Sequence, residues 1–70
     1  MTKQVKIQVT EGGQKYFSIY EVRVKDYNGE THTYDRYLSK KEADMTIEFI
    51  YDTFQKLYKS AWKMEHIVWC

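Results

Sequence analysis

Lys25-Asp26-Tyr27-Asn28-Gly29-Glu30-Thr31 reverses the chain. An Asn-Gly pair between two β-rich runs favours a type I′ hairpin, because both central residues of that turn need positive φ and its twist matches the flanking strands. Working back from the turn, residues 15–25 read as a strand. Tyr16, Tyr20, Val22 and Val24 share one face, with Glu21, Arg23 and Lys25 opposite. Phe17 and Ile19 fall on the nominally polar face. Either a bulge near residues 18–20 shifts the register or the open face carries an apolar spot; clean alternation on both sides favours the spot. Working forward, residues 30–38 read as the next strand. Tyr34 and Leu38 point inward with the parity of His32 and Arg36, while Thr31, Thr33, Asp35 and Tyr37 point out.

The segment before this hairpin also alternates with period two. Val5, Ile7 and Val9 face one way and Gln4, Lys6, Gln8 and Thr10 the other, as in a half-buried strand. It ends at Glu11-Gly12-Gly13-Gln14, a second tight reversal. After the hairpin, Ser39-Lys40-Lys41-Glu42 has the form of a capping box. From there Ala43, Ile47, Ile50, Phe54, Leu57, Ala61 and Met64 recur at steps of four and three. This spacing predicts one amphipathic helix of about 22–25 residues. Asp44, Glu48, Asp52, Gln55, Lys59 and Lys63 lie on its far side, acids first and lysines last, in the order that the helix dipole favours. Ile67-Val68-Trp69 is strongly β-forming and is expected to return to the sheet as a short edge strand, the alternative being a frayed helical end. The expected fold is a single α+β domain over residues 1–70: a three-stranded antiparallel meander, one long helix packed on one face, and a short fourth strand (β-β-β-α-β).

Seventy residues set the energetic scale. A chain this short buries about 60% of its unfolded surface, and its core rarely supplies more than ~3–5 kcal/mol. One cysteine, Cys70, excludes an intrachain disulfide. His32, His66 and Cys70 lack the spacing of zinc ligands, so neither a structural metal nor a cofactor is expected. Twelve aromatics, seven of them tyrosine, argue against disorder. A net charge of +1 lacks the positive excess of a non-specific nucleic-acid binder. No run approaches the roughly 18 apolar residues of a membrane span. The first residues lack a secretory core, and the lone thiol fits a reducing cytoplasm, a host's cytoplasm if the source is viral.

No catalytic constellation stands out. His66 and Cys70 lack a third group to orient them, and Gly12-Gly13 lacks the Lys-Ser/Thr and following helix of a phosphate loop. The chain therefore reads as a non-enzyme. Met45 and Phe49 are four apart on the charged side of the helix, where they touch each other and no core position. Tyr27 at the hairpin tip, and Phe17 and Tyr37 on the open sheet face, are also left over from packing. Tyrosine gives large contact area at low rotamer cost and is enriched at interfaces. These five residues are the candidate partner-binding surface.

The expected function is a small protein-binding module that acts by covering another protein's surface. In size and style it is like phage or mobile-element inhibitors of bacterial proteins. Two alternatives stand beside it. One is a single-stranded or duplex nucleic-acid binder using Lys6, Arg23 and Lys25 beside the aromatics of the open face. The other is a homodimeric subunit whose exposed apolar residues bury each other.

Overall fold

The structure is a computed structural model that describes residues 6–70. The strands are β1 (Gln8–Val9), β2 (Lys15–Asp26), β3 (Thr31–Tyr37) and β4 (Tyr58–Trp69), with α1 (Lys40–Thr53) between the last two. The β-β-β-α-β order and the antiparallel sheet agree with the reading of the sequence. Val5 and Gln4 of the expected first strand lie outside the described residues. Ile7 and Val9, read as inward, are instead exposed: β1 pairs only two residues with β2, and among the described residues no other element packs over it.

β2 is the central strand. β4 pairs with it along its whole length, from Tyr16 opposite Trp69 to Asp26 opposite Tyr58. β1 and β3 share the other edge, at Lys15–Tyr16 and Tyr20–Lys25 respectively. The chain reverses where expected, but not through a type I′ turn: Asn28 does not take positive φ, and only Gly29 does, at 89°. Tyr27 and Asn28 are the central residues, the Gly29 amide donates to the Asp26 carbonyl at 3.2 Å, and the left-handed glycine then returns the chain to β3. The Asp26 carboxylate accepts from the amides of Asn28 and Glu30, both at 2.9 Å, and holds the turn closed.

The helix is shorter than expected. It stops at Thr53, and residues 58–64, read as its second half, begin a twelve-residue strand. Leu57, Ala61 and Met64 continue the helical spacing, but apolar Trp62 and Met64 also alternate with charged Lys63 and Glu65, ahead of the β-forming Ile67-Val68-Trp69. The open edge of β2 decides between these patterns: a strand there satisfies a full row of backbone groups that a longer helix would leave unpaired. Of the three stripe residues only Ala61 is buried. The lysines expected to face the helix dipole follow Thr53, so the last turn carries no base. Ser39 is the N-cap in extended conformation, but its side chain makes no capping bond; Ala43 donates to its backbone carbonyl instead.

No bulge occurs at residues 18–20; the one in the β2–β3 pair falls between Val22 and Arg23, where Tyr34 is the extra residue of β3. This one-residue slip exchanges faces for the rest of β3. Tyr37, expected on the open face, lies opposite Tyr20 and packs against the core, whereas Arg36, expected inward, lies opposite Glu21 on the open face. The buried core is small: Val22, Val24, Ala43, Ile50 and Ala61, ringed by half-buried Tyr20, Tyr34, Tyr37, Ile47, Phe54 and Tyr58.

Candidate functional site

Three surfaces carry the residues that packing leaves unused. The first is the outer side of α1. Met45 and Phe49 are about half exposed, as their helical positions require. The Phe49 ring stands edge-on to Phe54 at 5.6 Å, just past the last turn. Tyr27 reaches the same end from the hairpin tip, donating its hydroxyl to the Gln55 carbonyl at 2.6 Å while its ring stays 63% exposed. Leu57, assigned inward while the helix was expected to continue, is 60% exposed in this turn, where its amide bonds to Phe54. Phe49, Tyr27 and Leu57 therefore gather around the end of the helix, with Met45 one turn before. The alternation of Trp62-Lys63-Met64-Glu65 is the signal in the sequence that a strand, not a helix, occupies the segment after Leu57.

The second surface is the sheet face away from α1. Phe17 and Ile19 lie there half-buried, opposite Val68 and His66 of β4. The unexpected centre of this face is Glu21, only 4% exposed although α1 packs on the other face of the sheet. Arg23 donates to one carboxylate oxygen, Arg36 to the other at 3.0 Å, and the His66 ring lies 3.8 Å away. Hydrogen bonds from Arg23 and then Arg36 hold the Glu21 carboxyl below the ordinary value of 4.5. Arg23, a candidate for nucleic acid, is thus already engaged by a carboxylate. Lys25 is half-buried beside it, opposite Thr31 and Ser60. Sequence reasoning missed the pairing with Arg36 because it depends on the Tyr34 bulge.

The third surface is the gap on β2 between β1 and β3. It forms a cavity of about 320 Å³ lined by Lys6, Tyr16, Phe17, Tyr20, Lys40 and Lys41 among others. Lys6, a nucleic-acid candidate, lines this cavity together with two lysines at the start of α1. Tyr37 lies elsewhere, against the core, so the five partner candidates do not share one face.

Asp26, Glu30 and His32 bring ligand-type atoms within 4.8 Å of one another, a grouping that their spacing along the chain did not reveal. His32 Nε2 lies 2.9 Å from Asp26, and this contact is the first cause of a lowered Asp26 carboxyl value, backbone bonds from the turn being the next. With both Asp26 oxygens used this way, the group works as hairpin scaffolding. Cys70 is exposed, and its amide donates to the Lys15 carbonyl. Among the described residues no helix is long and apolar enough to cross a membrane. Comparison with protein-family models, curated proteins and solved structures returned no match.

Proposed function

We propose that this chain is a non-enzymatic protein-binding module that covers a partner's surface with the outer side of α1 and the turn that follows it. The observation that carries this reading is the grouping of exposed Phe49, Leu57 and Tyr27 at one end of the helix, with Met45 beside them. A contiguous apolar patch rimmed by charge is the usual form of a protein contact on a small domain. Aromatic anchors at its centre carry most of the energy in such contacts. Phe49→Asp and Leu57→Asp should each abolish stoichiometric capture of a partner from a bacterial lysate while leaving the circular dichroism spectrum unchanged. A wild-type protein that captures nothing, or charged variants that capture as well as wild type, would refute the reading.

A second reading rests on the cavity beside β1. Lys6, Lys40 and Lys41 next to Tyr16 and Tyr20 combine cationic groups with stacking surfaces, the pairing used for single-stranded nucleic acid. Arg23 adds little to it, because its guanidinium is paired with Glu21. Titration of labelled oligonucleotides across a salt series tests this reading. Affinity should fall steeply with added salt and fall further in Lys6→Ala and Lys41→Ala.

A further inference from the structure

The outer edge of β4 is closed at one point and open beyond it. The Tyr51 hydroxyl donates to the Ala61 carbonyl at 3.1 Å and accepts from the Ala61 amide at 3.2 Å. Both backbone groups of Ala61 therefore point away from β2, as do those of every second residue along an antiparallel strand. The bond from the Cys70 amide to Lys15 fixes the opposite parity at the other end, and the register between them is unbroken. Lys63, Glu65, Ile67 and Trp69 thus present amides and carbonyls outward, and among the described residues β4 has no strand partner on that side.

An open edge is a template for another strand. This one is flanked by exposed Met64, Ile67 and Trp69. The chain also has surface to spare. Its accessible area is 5397 Å², against about 4,700 Å² expected for a monomer of this mass. The excess is close to the roughly 800 Å² that each partner buries in a standard interface.

We propose that β4 pairs with β4 of a second copy, antiparallel and centred on His66, to make one continuous eight-stranded sheet. The occupant is another copy because the edge complements itself. The register centred on His66 uses all of Lys63–Trp69 and stops short of the position that Tyr51 has closed. It sets Lys63 against Trp69 of the second copy, so that the lysine stem, whose ammonium is paired with Asp44 of its own copy, packs on an indole face. It sets Glu65 against Ile67 in the hydrogen-bonded positions, and Met64 against Val68 on the face away from the helices. The two His66 residues oppose each other on the axis. Each of these rings also lies beside Glu21 of its own copy, which Arg23 and Arg36 neutralise. A two-fold axis normal to the sheet leaves both helices on the same face at opposite ends. This interface is separate from the Met45–Phe49 surface, so either can fail without the other.

Three measurements on the full chain test the proposal. Sedimentation across concentration should show a doubling of the 8.5 kDa mass. In hydrogen exchange, the amides of Lys63, Glu65, Ile67 and Trp69 should gain protection as the dimer forms, while those of Met64 and His66, which already bond to β2 in the monomer, should change less. In a Cys70→Ser background, His66→Cys should cross-link to itself under diamide, since opposed residues in a non-hydrogen-bonded pair lie about 4.5 Å apart at Cα, within disulfide reach. Met64→Cys should not cross-link, because it faces Val68. Ile67→Pro removes an outward amide that the monomer does not use and should weaken dimerisation by about tenfold or more. A protein that stays monomeric at millimolar concentration overturns the proposal. So does a dimer whose Glu65 and Ile67 amides exchange freely.

Discussion

Glu21 is the residue on which the open face of the sheet depends. It is buried by the two guanidiniums that pair with it rather than by another layer of the fold, so its charge and theirs stand together. Glu21→Gln leaves two closely set cations facing an amide, and should lower the melting temperature at neutral pH. The sign of the pH dependence follows from the two depressed carboxyls, Glu21 and Asp26. In the folded chain both values lie below their ordinary 4.5 and 3.8, so as pH falls the unfolded chain takes up protons first. Their contribution is fully present above the ordinary values and is lost as pH drops through the folded ones. Thermal melts between pH 7 and pH 2 should show this loss, and Glu21→Gln should flatten part of it. An unchanged acid limb in the variant would remove Glu21 from the account. At the hairpin, Gly29 sits at φ 89°, where any side chain is strained. Gly29→Ala should cost about 1–2 kcal/mol in chemical denaturation.

Elements in this fold are decided by their neighbours as much as by their own periodicity. The stripe Ala43, Ile47, Ile50, Phe54 is a helix face in the sequence and in the structure; the continuation to Leu57, Ala61 and Met64 is not. Both patterns fit residues 57–64, and only the unpaired edge of β2 separates them. The same edge logic makes Tyr51 informative. Its hydroxyl ties the helix to the backbone of β4, so Tyr51→Phe should cost about 1 kcal/mol and lengthen the open edge by one residue. Denaturant melts check the first effect, and faster concentration-dependent aggregation the second. Ile50, 1% exposed, is the largest fully buried side chain among the described residues. Ile50→Ala should cost about 2–5 kcal/mol, comparable to all that a core of this size supplies, so the variant should be largely unfolded at room temperature.

At the scale of the whole molecule, the chain is a slab. It measures 47 × 25 × 12 Å, and its radius of gyration is 14.4 Å, where a compact chain of this length has about 11 Å. The cause is a mismatch of lengths. Fourteen helical residues cover about 21 Å of sheet, whereas the twelve-residue ribbon of β2 and β4 extends about 40 Å. The end beyond the helix carries Tyr16 and Trp69, whose rings meet at 5.1 Å, together with exposed Ile67, and among the described residues it has no second layer. β1 adds only two paired residues to the ribbon there, and ribbons so narrow are marginal in water by themselves. This end should therefore exchange its amides fastest in dilute protein and be stabilised most by self-association, which hydrogen exchange at two concentrations resolves.

By itself the amino-acid sequence determined the local features: the Asn28-Gly29 reversal, the alternation of β2, the start of the helix at Ser39 and the exposure of Met45 and Phe49. These depend on intrinsic φ preferences and on spacing within one element, which a sequence carries in full. Only the tertiary structure decided where the helix yields to β4, which face Tyr37 and Arg36 take after the Tyr34 bulge, and how Glu21 comes to lie beneath two arginines. Each of those outcomes depends on backbone groups and charges from segments far apart in the chain. Pairing between distant strands, rather than any residue's own propensity, satisfies them.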